Sequence, residues 1–167
     1  MANRSYLYAI KGDKTVGISE YNYDIPIAYK VLLSQNTKRV KSKIYKNPFK
    51  IALQGDFTKG VERLNAFLDE LKSKGYFRKD ELERAIENTK AFFQENSDYD
   101  YFYLDCSEIY EMDSKSLYLS NRKTCKQISN IDNEIELFYK ETKATSERKI
   151  QTIGIEEWSN VLYYGNL

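Results

Sequence analysis

The sequence predicts a single α+β domain, in which a small antiparallel sheet packs with several amphipathic helices, including a helical hairpin near residues 61–95. Strand-like alternation at residues 4–11 and 99–104 flanks this helical stretch. Because strands and helices do not alternate regularly, α+β fits better than a parallel βαβ fold. A length of 167 residues with 41% hydrophobic and 14% aromatic residues predicts one globular domain over residues 1–167.

The first segment, residues 4–11, reads RSYLYAIK. Alternate side chains would face opposite sides of a sheet, with Tyr6, Tyr8 and Ile10 on one face and Ser5, Leu7 and Ala9 on the other. Apolar residues on both faces predict a strand inside the sheet. A turn at residues 11–14 follows, and residues 15–19 form either a second strand or a loop. Residues 99–104 are the next strong strand signal.

Residues 61–74 carry a helical stripe, formed by Val61, Leu64, Phe67, Leu68 and Leu71. Thr58 is the expected N-cap of this helix, and Gly75 is the expected C-cap. A second helix is expected over residues 80–95, with Asp80 as its cap. Two consecutive helices joined by a short connection predict the hairpin.

Pro26 lies near the start of another predicted helix, which runs to about Gln35. Residues 36–50 are strongly basic, and their few apolar residues have near-helical spacing. Residues 107–119 are ambiguous, and the polar residues 120–130 are expected to form a loop with at most a short strand.

A helix is expected from Ile131 through Tyr139, followed by a polar linker over residues 142–149. Gly154 would precede a last short helix, which carries Trp158, Val161 and Leu162. This helix is expected to seal the core, although its aromatic residues would also suit a ligand pocket.

The chain contains no histidine. This excludes Ser-His-Asp and Cys-His catalytic systems and histidine-ligated zinc sites. An enzyme would have to use carboxylates, Lys, Tyr or Cys. We expect no catalytic activity, no cofactor and no metal site. Two reduced thiols are the expected state of Cys106 and Cys125, and a bridge between them stays open.

A metal-dependent enzyme is the alternative, because acidic residues can hold Mg²⁺. Glu70-x-Lys72 and Glu141-x-Lys143 match the Glu-x-Lys text of some metal nucleases. Both pairs fall in predicted helices, where such pairs are commonly solvated charges.

The N-terminus lacks the apolar core of a signal peptide, and no apolar run approaches the roughly 20 residues of a membrane-spanning helix. The sequence therefore predicts a soluble cytoplasmic protein with no membrane partner.

Charge is unevenly distributed, although the net charge is only +1. Residues 1–60 hold eleven Lys and Arg against four Asp and Glu, whereas residues 61–113 hold seven against fourteen. The fold either separates these charges into a basic and an acidic face or interleaves them and cancels them locally.

Acidic and aromatic residues are interleaved over residues 98–113. Tyrosine buries a large area and keeps a hydrogen-bonding tip, and carboxylates speed encounter with a cationic partner. The predicted partner-binding residues are Asp98, Tyr99, Asp100, Tyr101, Tyr103, Asp105, Glu108, Tyr110, Glu111 and Asp113. The competing interpretation is that alternate tyrosines pack in the core while the acids are solvated.

The basic segment offers the alternative surface. It contains Lys38, Arg39, Lys41, Lys43, Lys46 and Lys50, with Tyr45 and Phe49 interleaved. Such a run suits phosphate backbones. Since the net charge is near zero and no nucleic-acid motif accompanies the run, nucleic acid is not the expected partner and a solvated face is the ordinary interpretation.

Several stretches carry a family resemblance: MANRSYLY at the N-terminus, YNYDIPIAY over residues 21–29, VLLS over residues 31–34 and WSNVLYY over residues 158–164. In these stretches the chain resembles an uncharacterised bacterial family. Some members of that family resemble immunity proteins encoded beside secreted polymorphic toxins, including those of contact-dependent growth inhibition. The resemblance implies a small cytoplasmic bacterial protein and supplies no active-site residues.

The expected function is therefore that of an immunity protein, which binds a cognate toxin domain and occludes its active site or substrate groove. The toxin would be basic, such as a nuclease, if residues 98–113 make the contact, and acidic at its site if the basic segment does. Because immunity proteins to nucleases are often strongly acidic and this chain is nearly neutral, either the toxin is not a nuclease or the acidic character is local only. The alternative is a nucleic-acid-binding or regulatory module that uses residues 38–50.

Overall fold

The computed structural model describes residues 2–113, 116–158 and 162–167. Within these residues one antiparallel sheet contains β1 (Arg4–Lys11), β2 (Lys14–Asn22), β3 (Lys38–Val40), β4 (Ala52–Asp56) and β5 (Tyr101–Asp105). The helices are α1 (Ile27–Leu32), α2 (Phe57–Lys74), α3 (Lys79–Glu95), α4 (Ser107–Glu111), α5 (Leu117–Ser129) and α6 (Ile131–Ala144). A 3₁₀ turn covers Ile150–Ile153. The predicted α+β class is confirmed.

The strand order is β2-β1-β5-β4-β3, and every pair is antiparallel. Strand β1 lies between β2 and β5, which confirms that residues 4–11 form an interior strand. Strand β2 is a full partner of β1, so the loop alternative for residues 15–19 is wrong. The α2–α3 hairpin connects the neighbouring strands β4 and β5.

The two faces of β1 divide as the alternation predicted. Leu7 and Ala9 join the main core beneath the helices, and we call this side the helix face. Tyr6, Tyr8 and Ile10 lie on the other side, in a smaller cluster with Ala52, Tyr103 and Leu162. We call this second side the tyrosine face. Because a loop and the C-terminal segment cover the tyrosine face, both faces of the sheet are buried.

The stripe predicted for α2 is confirmed, because Leu64, Phe67, Leu68 and Leu71 are all buried. The helix begins earlier than predicted, at Phe57, whose ring stacks on Phe102 with centroids 4.5 Å apart. Thr58 is therefore inside the first turn and is not the cap. Gly75 ends the helix in the left-handed conformation, with a φ of 70°, as predicted.

The α3 helix also begins one residue before its predicted start. Lys79 is its first residue and Arg78 precedes it, so Asp80 lies in the first turn and does not cap the helix. Its buried side is formed by Leu82, Ala85, Ile86, Thr89 and Phe93.

The basic segment is not helical, despite its spacing. Its residues 38–40 form the edge strand β3, in which Val40 pairs with Ala52 of β4. Strand β4 was missed because its sequence, ALQGD, lacks a strong alternating pattern. It is a strand because β5 pairs with it along its whole length.

The polar residues 120–130, predicted as a loop, lie mostly in α5. Asn121, Thr124 and Ile128 form the buried side of this helix. The Asn121 side-chain amide donates to the carbonyl oxygens of Lys50, at 3.1 Å, and Ala52, at 3.0 Å. Hydrogen bonding to the loop and to β4 therefore replaces much of the apolar burial from which helices are usually predicted.

The remaining helix ends differ by a few residues. Helix α1 ends at Leu32, short of Gln35, and α6 continues to Ala144, so the start of the predicted 142–149 linker is helical. Residues 155–158 and 162–167, where a last helix was expected, are not helical, and Val161 lies outside the described residues.

Trp158 seals the core, as expected. Its ring stacks on Phe92 with centroids 5.7 Å apart, and its indole nitrogen donates to the Thr89 hydroxyl at 2.8 Å.

Gly60 allows α2 to lie against α1. A Cβ atom at this position would collide with the Leu32 carbonyl oxygen and lie 3.2 Å from the Phe102 ring. Gly60→Ala should therefore lower the free energy of unfolding by about 1–3 kcal/mol, although alanine normally favours a helix by about 1 kcal/mol over glycine. Urea unfolding measures this, with the exposed Thr58→Ala as the control. A more stable Gly60→Ala variant would contradict the close approach.

Candidate functional site

The ten predicted contact residues do not form one surface. Tyr103, Asp105 and Tyr110 are buried, while Tyr99 and Glu108 are half-buried. The exposed members are Asp98, Asp100, Tyr101, Glu111 and Asp113. A continuous acidic and aromatic patch over residues 98–113 is therefore wrong, because β5 and α4 turn half of these side chains inward.

Two of the predicted contact tyrosines belong to the core beside the helices. The Tyr99 ring lies 5.3 Å from the Phe57 ring, measured between centroids. The Tyr110 hydroxyl donates to the Asn121 side-chain oxygen at 3.0 Å. Their contribution is to packing.

Asp105 is fully buried at the end of β5, where an unpaired charge would be costly. One of its oxygens accepts hydrogen bonds from the Ser42 and Tyr103 hydroxyls, the latter at 2.9 Å. The other oxygen accepts from the Ser107 backbone N–H at 3.0 Å. Ser42 also accepts from the backbone N–H groups of residues 44 and 45, so Asp105 anchors the turn that carries the basic segment.

Glu108, on α4, is a second anchor. Its carboxylate accepts from the Arg4 backbone N–H at 2.9 Å and from the hydroxyls of Tyr6 at 3.0 Å, Tyr45 at 2.7 Å and Tyr164 at 3.1 Å. These donors come from β1, the basic segment and the C-terminal segment. One carboxylate therefore ties three distant parts of the chain together.

The hydrogen bonds also shift the ionisation of these groups. Partial burial by itself would raise the pKa of Glu108, but the donors outweigh burial and hold this pKa below its usual value. Burial, and then hydrogen bonding to the carboxylate, raises the pKa of Tyr6. The cluster therefore contains an ionised carboxylate and neutral tyrosines at neutral pH. We call it the carboxylate–tyrosine cluster; its members are Asp105, Glu108, Tyr6, Tyr45, Tyr103 and Tyr164.

Strand β3, the loop held by this cluster and the start of α5 together display what we call the basic surface, which consists of Lys38, Arg39, Lys41, Lys43, Lys46, Phe49, Lys50 and Tyr118. All five lysines are exposed. In the part of the chain that the structure describes, none of the six cations has an ion-pair partner within 4.0 Å. The charge of the five lysines is therefore directed to solvent, while Arg39 is half-buried.

Aromatic residues lie within the basic surface. Phe49 is 58% exposed, and its ring lies 5.4 Å from that of Tyr118 on α5. The Arg39 guanidinium lies 5.4 Å from the Tyr118 ring centroid. Tyr118 was missed from the sequence because residues 107–119 gave no clear element and α5 was not expected. Its proximity to the loop is a tertiary contact.

Two exposed acids precede β5, and together with Tyr101 they form a smaller group, which we call the acidic rim; its members are Asp98, Asp100 and Tyr101. The Lys11 ammonium lies 3.0 Å from Asp98 and 3.7 Å from Asp100. One cation shared by two carboxylates leaves the rim negative. Tyr101 is 37% exposed, and the Lys38 ammonium lies 5.9 Å from its ring centroid, so the rim borders the basic surface.

Glu111 and Asp113 lie beyond the other end of β5. A five-residue strand separates them from the acidic rim by about 13 Å or more. They make a second, separate acidic site on the surface.

Among the described residues, no three Cys, Asp or Glu side chains converge as a metal site would require. Glu70 and Lys72 lie on α2, and Glu141 and Lys143 lie on α6, as the helical interpretation of these pairs predicted. Both thiols are free; Cys106 is buried and Cys125 is half-buried. No helix within the described ranges is long and apolar enough to cross a bilayer.

The fold and these surfaces define an α+β protein whose sheet is covered by helices on one face and by a tethered basic loop on the other. The chain belongs to the family described as Domain of unknown function (DUF7822), which matches residues 6–145. The match includes the whole basic surface and Glu108, and it ends before Tyr164. No curated protein and no solved structure matches the chain.

The role of Glu108 can be tested with Glu108→Gln. At pH 7 this variant should lose about 1–2 kcal/mol of stability, because three tyrosines and one backbone N–H lose a charged acceptor. A carboxylate with a lowered pKa stabilises the fold above its unfolded pKa, near 4.5, and this contribution is lost as pH falls through the folded pKa.

The difference between wild type and Glu108→Gln should therefore shrink below about pH 4. Urea unfolding at several pH values measures it, and the exposed Glu87→Gln serves as the control. An equal difference at pH 7 and pH 3.5 would show that the ionised carboxylate is not the stabilising form.

Proposed function

We propose that this protein is an immunity protein: it binds a cognate toxin domain in the cytoplasm and occludes its active site or substrate groove, without bond chemistry of its own. The observation that supports this best is the acidic rim, where exposed carboxylates and an exposed tyrosine lie at the start of β5. The family resemblance noted in the sequence supplies the toxin as partner.

The acidic rim has the physical properties of a contact surface. Tyr101 presents a rigid ring with a polar tip, which is the kind of anchor that interfaces favour. The Asp98 carboxylate is among the most exposed, with 89% of its side chain accessible. Carboxylates at the edge of an interface speed encounter with a cationic partner.

The rim is also rigidly placed. Tyr101 pairs with Ile10 of β1 on one side and with Asp56 of β4 on the other. The Asp100 carboxylate accepts from the Gly12 backbone N–H at 3.1 Å. A surface that is ordered before binding loses little conformational entropy when the complex forms. The proposed partner is a basic toxin domain, such as a nuclease.

A second candidate function is a nucleic-acid-binding or regulatory module that uses the basic surface. The specific observation in its favour is that six cations gather there without an ion pair among the described residues, although the whole chain is nearly neutral.

Co-purification tests the leading proposal. The chain would be expressed with its genomic neighbours and purified through high salt, and the retained protein identified. A stoichiometric toxin domain that is inactive in the complex and active alone is the expected result. Recovery of no protein partner would remove the basis for the immunity proposal.

The acidic rim can then be tested by charge reversal. Asp98→Lys with Asp100→Lys should slow association with a basic toxin by about tenfold or more at low ionic strength. Glu111→Lys with Asp113→Lys is the matched control, because it makes the same charge change in the same segment at a distant site. Stopped-flow association rates measure both, and circular dichroism confirms folding. Equal rates for the two double variants would rule out the rim as the contact.

A further inference from the structure

We propose that the basic surface binds single-stranded nucleic acid, with Phe49 and Tyr118 as the stacking platform for an unpaired base and the surrounding lysines as contacts for phosphates. This develops the second candidate function and is independent of toxin binding at the acidic rim.

The charge of the basic surface supports an anionic ligand. Residues 36–50 contain six cations and no carboxylate. Two acids from outside this segment, Asp105 and Glu108, lie under the loop and are occupied by hydroxyl and backbone donors; the acidic rim lies beside the basic surface, at Lys38. A polyanion would therefore meet exposed ammonium groups and no accessible carboxylate within this segment. The near-neutral net charge of the whole chain was the reason not to expect a nucleic-acid partner from the sequence. The local surface is nevertheless strongly basic.

The aromatic residues narrow the class of ligand. Phe49 is more than half exposed, so its ring is accessible to a ligand. The ring belongs to a compact group with Tyr118 and the Arg39 guanidinium. Aromatic rings beside cations form the usual platform for unpaired bases, on which bases stack while cations follow the backbone.

The platform is held in place by its own hydrogen bonds. The Phe49 backbone N–H donates to the Asn47 side-chain oxygen at 2.9 Å, and the Lys50 carbonyl accepts from the Asn121 amide at 3.1 Å. Together with the anchoring of Ser42 and Tyr45 by Asp105 and Glu108, these bonds order the loop at both ends. The surface is therefore formed before a ligand arrives.

A single strand fits these features better than a duplex or an acidic protein. In a duplex the flat faces of the bases are stacked on each other and unavailable to Phe49, so only phosphate contacts would remain. An acidic protein would satisfy the lysines but would carry few planar rings beside its charges. Unpaired nucleotides supply an anion and a planar ring in every unit.

Fluorescence anisotropy tests the proposal with the full chain and a labelled thymidine oligonucleotide of about 15 nucleotides, a length that covers the usual site size. Binding should weaken steeply between 50 and 200 mM salt, as expected for several neutralised phosphates. Lys41→Glu with Lys43→Glu should weaken binding at least tenfold. The matched control is Lys72→Glu with Lys74→Glu, two exposed lysines of the same spacing on α2.

The stacking platform needs a separate variant. Phe49→Ala should weaken binding of the oligonucleotide by about 5-fold to 100-fold, the range for loss of one stacked base, and Phe49→Tyr should restore most of it. Leu137 is also an exposed apolar residue but lies on α6, so Leu137→Ala should leave oligonucleotide binding unchanged. A duplex of equal length should bind in a manner insensitive to Phe49→Ala.

Three results would overturn the proposal: no oligonucleotide binding at 50 mM salt, equal binding by the wild type and Phe49→Ala, or tighter binding of poly-glutamate than of the oligonucleotide. The last result would assign the basic surface to an acidic protein instead. The acidic-rim variants should bind the oligonucleotide like the wild type or more tightly, so failure here and failure of toxin capture are separate outcomes.

Discussion

The rest of the structure depends on hydrogen bonding to two carboxylates, Asp105 and Glu108, at the end of the central strand. An antiparallel sheet with helices on one face leaves its other face open to water, and here that face carries the large side chains of Tyr6, Tyr8 and Tyr103. A loop and the C-terminal segment cover them, and Asp105 and Glu108 hold both in place through hydroxyl and backbone donors. Carboxyl groups with this number of hydrogen-bond donors are tolerated when buried, whereas carboxyl groups without partners are not.

The same arrangement decides how charge is distributed on the surface. Part of the acidic segment turns inward and anchors the basic loop, through hydroxyl and backbone donors and not through the lysines. The lysines of the loop still point outward without ion pairs in the described part of the chain. The acids that remain exposed divide into the acidic rim and the distant pair Glu111 and Asp113. A molecule that is almost neutral overall therefore presents a basic surface and an acidic rim side by side.

Both proposals rest on rigid placement of exposed aromatic side chains beside charge. Tyr101 lies on a strand that is paired on both sides, and Phe49 lies in a loop that is hydrogen-bonded at both ends. The family match ends at residue 145, so the anchoring of the loop by Asp105 and by Tyr45 with Glu108 falls within the matched region. The contribution of Tyr164, from the C-terminal segment, lies outside it.

Local periodicity in the sequence was sufficient for the two faces of β1, the stripe of α2 and the α+β class, and the glycine at position 75 was sufficient for the end of that helix. These features follow from interactions between residues close in the chain, whose spacing determines which side chains share a face. The tertiary structure alone decided that residues 38–40 and 52–56 are strands, that residues 117–129 are a helix, and that Asp105 and Tyr110 are internal. Each of these depends on partners far away in the chain, such as Ser42 for Asp105 across 63 residues and Lys50 for Asn121 across 71. From sequence alone a polar side chain is predicted to be exposed, because the hydrogen-bond partner that allows its burial comes close only when the chain folds.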